Sequence, residues 1–140
     1  MNDARTRYLA DAVATANPAR LLTMLYDRLL LDLDRAGDAL AAGDRAAAAP
    51  HVDHAVDVVS ELMSTLDAGA WDGATRLMSI YQFVLRELLG PGLAGDHAAV
   101  AGCRGVLEPL ALAWHQAADE AARVPTPHGE PVPAGILGVG

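Results

Sequence analysis

Apolar residues recur every three or four positions in four successive segments of this chain, and no other feature restricts its fold as strongly. The stripe in the first segment, from Pro18 to about Ala42, consists of Leu22, Leu25, Leu29, Leu33, Ala36 and Leu40. This spacing places the side chains on one face of an α-helix. Such a helix is stabilised chiefly by burying that face, so the first segment must pack against other elements.

Three further segments repeat the pattern. The second contains Val52, Ala55, Val56, Val59, Leu62, Met63 and Leu66, the third contains Ala74, Leu77, Met78, Tyr81, Val84, Leu85, Leu88 and Leu89, and the fourth contains Val100, Cys103, Val106, Leu107, Leu110, Trp114, Ala117 and Ala121. Short connections between long helices make neighbours antiparallel. We therefore predict an all-α fold, an antiparallel up-and-down four-helix bundle with crossing angles of about 20°.

Capping residues mark the ends of these helices. Asn17 can accept hydrogen bonds from the free amides of the first turn, and Pro18 suits the first helical position because its φ is already set. Gly43 is expected to end the first helix. Asp44 and Asp96 are predicted to cap the second and fourth helices.

Prolines interrupt three of the segments. Gly90-Pro91-Gly92 is expected to stop the third helix. For Pro50, either the second helix kinks between Ala46 and Pro50, which we favour, or its regular part begins at about Ala49. Pro109 should bend the fourth helix.

Composition agrees with one helical domain. The chain has 140 residues, of which 52% are hydrophobic and 4% aromatic, and it carries a formal net charge of −8. This hydrophobic content suffices for a packed core, whereas an acidic chain lacks the clustered positive charge that nucleic-acid binding requires. We expect a bundle domain over residues 17–123 that binds no nucleic acid.

Two terminal segments lie outside that domain. Residues 1–16 contain one large aromatic side chain, Tyr8, and are expected to form a short helix or movable cap packed on the bundle. Residues 124–140 carry Pro125, Pro127, Pro131 and Pro133 together with several glycines, which predicts a disordered tail. The apolar end of this tail is a less favoured candidate for a partner motif.

The chain is expected to reside in the cytoplasm. It has 1 cysteine, so no internal disulfide can form and nothing indicates an oxidising compartment. The first residues lack the apolar run of a signal peptide, and no stretch approaches the roughly 20 apolar residues of a membrane span. Neither export by that route nor membrane insertion is predicted.

Few residues offer catalytic chemistry. His51 and His54 are three positions apart and could share a metal ion, but a solvated polar face is the preferred interpretation because a third ligand is lacking. Cys103 falls in an apolar stripe and is interpreted as core. The acidic residues of the first helix are interpreted as its solvated face, including Asp27, Asp32, Asp34 and Asp38. We predict no enzyme activity, no metal and no cofactor.

Several short motifs, in this order and spacing, resemble the flagellar secretion chaperone (FliS) family from Tyr8 to about Ala118. The resemblance rests on Tyr8, Thr15-Ala16-Asn17-Pro18 with Leu21 to Asp27, Gly43-Asp44, Glu61 to Asp67, Ile80-Tyr81 with Leu85-Arg86, and Leu110 with Trp114. Asn17 stands where the family usually has serine, and Asn caps a helix equally well. Pro50 and Pro109 are further departures.

The resemblance implies a cytoplasmic chaperone that holds the C-terminal segment of flagellin before export and docks at the flagellar export gate. We expect a monomer or weak homodimer. The partner-binding residues that we select are Tyr8, Leu21, Tyr26, Met63, Leu66, Tyr81 and Leu85, with core packing as the alternative for each. The competing interpretations are a dimerising bundle without a flagellin ligand and a metal-dependent enzyme using His51 and His54.

Overall fold

The computed structural model describes residues 18–67 and 69–123, and within these ranges the chain forms four α-helices and no strand. The helices are α1 (Pro18–Ala41), α2 (Arg45–Thr65), α3 (Asp72–Glu87) and α4 (His97–Arg123), with a π-helical turn at Leu88–Gly92. The predicted four-helix bundle is therefore confirmed. The predicted Asn17 cap, the segment 1–16 with Tyr8, and the tail 124–140 lie outside the described residues.

The long helix α1 is the centre of the packing. It spans 24 residues, or about 36 Å at 1.5 Å per residue, and packs against both α2 and α4. The shorter α3 completes the bundle by contacting α2 and α4. The core consists largely of the predicted stripe residues and is formed by Tyr26, Leu29, Leu33, Ala36, Ala48, Val52, Ala55, Val58, Val59, Leu62, Leu77, Tyr81, Val84, Leu88, Val100, Cys103, Leu107 and Ala111.

The helix boundaries around the first and third connections follow the capping predictions. Gly43 has a φ of 77°, a left-handed conformation that favours glycine just after a helix. Asp44 Oδ1 accepts a hydrogen bond from the Ala47 amide at 2.9 Å. Asp96 Oδ1 accepts from the Ala99 amide at 3.2 Å. These predicted ends are confirmed.

The structure corrects the prediction for Gly90-Pro91-Gly92. The α-helical part ends at Glu87, but the chain continues as a π-helical turn through Gly92. Pro91 has no amide hydrogen for the α-helical bond, and the wider turn keeps the backbone paired because the Leu93 amide donates to the Leu88 carbonyl at 3.0 Å. The proline therefore widens the helix before the chain leaves it.

Pro50 lies inside a continuous helix. Because α2 begins at Arg45, the alternative in which its regular part starts at about Ala49 is wrong. The carbonyl of Ala46, which loses its α-helical donor at Pro50, belongs to an exposed residue and can bond water instead. Pro109 lies inside α4 in the same way. Bends at the two prolines stay predictions.

Asp32 corrects a second prediction, because it belongs to the interior rather than to the solvated face of α1. Asp32 is completely buried, with 0% of its surface exposed to solvent. Its Oδ1 lies 3.3 Å from Arg28 Nε in an ion pair, and its Oδ2 accepts a hydrogen bond from His54 Nδ1 of α2. Asp32 lies three positions after the core residue Leu29 and therefore on the same face of α1. Its side chain turns into the α1–α2 interface, where the half-exposed side chains of Arg28 and His54 are its polar partners.

Candidate functional site

An open cleft of about 660 Å³ lies at one end of the bundle. In an up-and-down arrangement, the first turns of α1 and α3 and the last turns of α2 and α4 meet at the same end. Residues from all four helices line the cleft, which we call the end cleft. Its lining is predominantly apolar and consists of Pro18, Leu21, Leu22, Met24, Leu25, Glu61, Leu62, Thr65, Leu66, Trp71, Leu77, Tyr81 and Trp114.

Two aromatic side chains, Tyr81 and Trp114, line the inner wall of the end cleft, and the buried ring of Tyr26 packs behind them. The Tyr81 and Tyr26 hydroxyls are hydrogen-bonded at 2.7 Å, and both residues are buried. The Tyr26 ring lies 6.4 Å from the Tyr81 ring and 6.3 Å from the Trp114 ring, with tilted planes in both pairs. Such tilted pairs contribute about 0.5–1.5 kcal/mol each beyond area burial. The inner wall is therefore a rigid aromatic cluster.

The tyrosines of this wall stay neutral. Burial raises the pKa of Tyr81 far above its ordinary value, and Tyr26 raises it further. Burial also raises the pKa of Tyr26, against smaller opposing effects of Tyr81 and Trp114. Trp114 Nε1 is buried and has no hydrogen-bond acceptor among residues 18–67 and 69–123. The end cleft thus offers an uncharged inner surface to a ligand.

Two large apolar side chains at the mouth of the end cleft remain accessible to water. Met24 is 42% exposed and Trp71 is 50% exposed. Trp71 immediately precedes α3 and has extended backbone angles, φ −164° and ψ 164°. Its indole covers Gly73, since a Cβ on Gly73 would stand 1.8 Å from Trp71 Cζ3. A ligand in the end cleft would remove both side chains from water.

Comparison with known proteins identifies the family. Residues 1–121 match the model of the family described as "Flagellar protein FliS". The chain belongs to the FliS family. It is 32% identical over 113 residues to the flagellar secretion chaperone FliS of Salmonella typhimurium, a match that covers 79% of this chain and 84% of that protein.

Two more relatives carry the same name. The chaperone of Escherichia coli is 28% identical over 107 residues, covering 75% of this chain and 79% of the relative. That of Bacillus subtilis is 27% identical over 112 residues, covering 80% and 84%. The predicted resemblance to flagellar secretion chaperones is therefore confirmed at the level of the family.

The residues that we selected as partner-binding in this FliS-family chain fall into three groups. Leu21, Leu66 and Tyr81 line the end cleft, and Tyr26 lies behind Tyr81 in the buried aromatic wall. Met63 and Leu85 are partly buried against the core and do not line the end cleft. Tyr8 lies outside the described residues. The structure thus brings together three of the selected side chains, and their role in binding stays a prediction.

Sequence reasoning missed several lining residues. Leu25 and Trp114 belong to the predicted apolar stripes and were not selected as partner-binding; both pack against the core, and both also line the end cleft. Met24 and Trp71 were not selected at all. The available signal for Trp71 was a large aromatic residue in a short connection, a position where solvent exposure is expected.

The other candidate sites have structural explanations. His54 is engaged by Asp32, and within residues 18–67 and 69–123 no group of three or more His, Cys, Asp or Glu side chains is placed to hold a metal. Cys103 is buried, as predicted, and burial raises its pKa to about 11, so its thiol is a poor nucleophile. In the described part of the chain, none of the helices combines the length and hydropathy that crossing a membrane requires.

Proposed function

We propose that this protein is a flagellin export chaperone that binds the C-terminal segment of flagellin in the cytoplasm and delivers it to the flagellar export apparatus. Membership of a family whose relatives are named flagellar secretion chaperones supports this proposal. The observation that carries it is the end cleft, a predominantly apolar site of about 660 Å³ that residues of all four helices line. The proposed role is binding without catalysis.

The chemistry of the end cleft suits an amphipathic helical segment. Such a segment would self-associate through its apolar face if that face were left bare. Ordering a disordered chain costs conformational entropy, which must be offset by apolar burial on a partner that does not itself reorganise. The aromatic wall of Tyr26, Tyr81 and Trp114 supplies that rigidity, because its side chains are already packed together.

Residues 1–16 are proposed to cover the end cleft as a movable cap when flagellin is absent, with Tyr8 as the main contact. The proposal is supported by Pro18, the first described residue of α1, which lines the end cleft. Flagellin would then displace the segment, and Tyr8→Ala is expected to change flagellin affinity, protein stability or both. Unchanged values of both quantities would refute the covering role of Tyr8.

Isothermal titration calorimetry with the C-terminal segment of flagellin from the same organism tests the proposal. We expect a ratio of one to one and a negative heat-capacity change, which is the signature of apolar burial. Leu66→Asp introduces a charge into the end cleft and should abolish binding. The matched control is Leu112→Asp, because Leu112 is 61% exposed on α4 and does not line the end cleft.

The outcomes separate the site from the function. No heat of binding with the folded wild-type protein would contradict flagellin recognition. Binding that survives Leu66→Asp but is lost in Leu112→Asp would move the site from the end cleft to the outer face of α4.

A second candidate function, a bundle that dimerises without a flagellin ligand, is favoured by exposed apolar side chains away from the end cleft. Val106 and Leu112 of α4 are 37% and 61% exposed. Light scattering with and without the flagellin segment distinguishes the two functions. If the protein is a chaperone, it is a monomer or weak homodimer whose mass increases by that of one flagellin segment. If it is a dimeric bundle without this ligand, its mass stays the same when the segment is added.

A further inference from the structure

The contact between Trp71 and Gly73 indicates how the mouth of the end cleft discriminates among bound segments. Trp71 is half exposed although it is large and apolar, and it does not belong to the buried core. A side chain of this kind adds little to the stability of the free protein, because about half of its surface stays in water. Its position is nevertheless defined, since its indole rests against the backbone of Gly73.

Gly73 is required for that position. A Cβ there would stand 1.8 Å from Trp71 Cζ3, 2.6 Å from Cε3 and 2.7 Å from Cη2, so the indole would have to leave. Gly73 does not need the conformational freedom of glycine, because Gly43 and Gly95 are the glycines with positive φ among the described residues. Glycine at this position therefore makes room for the indole of Trp71 and is not needed for an unusual backbone conformation.

We propose that Trp71, seated on Gly73, is a specificity-determining contact of the end cleft that takes one large apolar side chain of the bound segment. This inference rests on the proposed function and names a residue that selects within it. Met24, also exposed, lines the same mouth and continues the apolar surface that this side chain would meet. Tryptophan is enriched among residues that dominate binding energy, because it buries a large rigid surface at low entropic cost.

Two substitutions test the contact from opposite directions. Trp71→Ala removes the indole and should weaken binding of the flagellin C-terminal segment by about tenfold or more. Gly73→Ala retains Trp71, but the added methyl group displaces the indole from its position, so this variant should also bind the segment more weakly. Alanine is the better helix former, so the urea midpoint of Gly73→Ala should be equal to or above that of the wild type. A purely structural role of this pair would instead lower affinity and stability together.

The double variant Trp71→Ala/Gly73→Ala completes the cycle. If Gly73 acts only by seating the indole, the double variant should bind as Trp71→Ala does, with no additional loss. Phe83→Ala is the matched control, because Phe83 is an aromatic residue of α3 that is 40% exposed and does not line the end cleft. Its affinity should equal that of the wild type.

Fluorescence reports the contact directly. The chain has 2 tryptophans, so Trp71→Ala retains only Trp114, and subtracting its emission from that of the wild type gives the emission of Trp71. With both proteins saturated by the segment, the emission of Trp71 should shift to shorter wavelength, because the indole loses water. Each large apolar residue of the segment can then be replaced by alanine in turn. One of these replacements should weaken binding to the wild type but leave the affinity for Trp71→Ala unchanged.

Each outcome has a separate meaning. If the wild type binds and both Trp71→Ala and Gly73→Ala bind equally well, the role of Trp71 is refuted while the chaperone function stands. An equal loss of affinity in Phe83→Ala would also refute it, since the effect would not be specific to the mouth. If the folded wild type does not bind the flagellin segment, the proposed function and the role of Trp71 fail together.

Discussion

Removing one hydroxyl from the buried Tyr26–Tyr81 pair should cost more stability than removing both. The two residues are 0% and 1% exposed, and their hydroxyls are 2.7 Å apart. Tyr81→Phe retains the ring but leaves the Tyr26 hydroxyl without this partner, which costs about 1–3 kcal/mol for a buried polar group. The Tyr26→Phe/Tyr81→Phe double variant leaves neither hydroxyl, so its net loss should be below about 1 kcal/mol.

Urea unfolding followed by circular dichroism measures these differences. The slope of the free energy of unfolding with urea should stay constant, because the variants bury the same rings. Each kcal/mol should also lower the melting temperature by about 4–8 °C for a domain of roughly 100 residues. A double variant that loses the sum of the two single losses would refute the reasoning, since the hydroxyls would then act independently.

Three further predictions concern the caps, the buried thiol and the buried carboxylate. Asp44→Ala removes the acceptor of the Ala47 amide and should lower the free energy of unfolding by about 1 kcal/mol in urea titrations. Burial raises the pKa of Cys103 to about 11 from 9.0, so the unfolded chain loses the thiol proton at lower pH than the folded chain does. The contribution of Cys103 to the free energy of unfolding should therefore be complete below about pH 9 and should be lost as the pH rises to about 11. Cys103→Ala should make the decline of the urea midpoint with pH less steep. His54→Ala leaves the buried Asp32 carboxylate with Arg28 alone and should cost about 1–3 kcal/mol by thermal unfolding, with Asp32→Asn recovering part of it; full stability in His54→Ala would contradict the pairing.

Local signals predicted the helices and most of their ends. Gly43, Asp44 and Asp96 act within one turn of their own position, so their roles can be inferred without knowing the neighbouring helices. The π-helical turn was not predicted, because a proline in the sequence indicates a lost hydrogen bond but not the wider pairing of Leu93 with Leu88 that replaces it. The start of α2 at Arg45, before Pro50, was likewise left open, because the sequence does not show whether the freed carbonyl of Ala46 can reach water.

The candidate site was predicted in part. Leu21, Leu66 and Tyr81 were selected and do line the end cleft, whereas the aromatic wall and the mouth were not foreseen. Stripe position alone cannot separate a core residue from a lining residue, because both face inward from their own helix. Whether a residue belongs to the core or to the cleft depends on whether the opposite helix fills the space in front of its side chain. At this end of the bundle, the opposite helices leave that space open.

The sequence by itself determined an all-α chain with four amphipathic helices, because periodicity, capping and helix breakers act over a few residues. Its motifs also indicated the family that the comparisons confirm. Only the tertiary structure decided that Asp32 is buried beside His54, that Tyr26 and Tyr81 share a hydrogen bond, and that Trp71 rests on Gly73. These features depend on how each helix is rotated against its neighbours, and that rotation is set by the packing of the whole core.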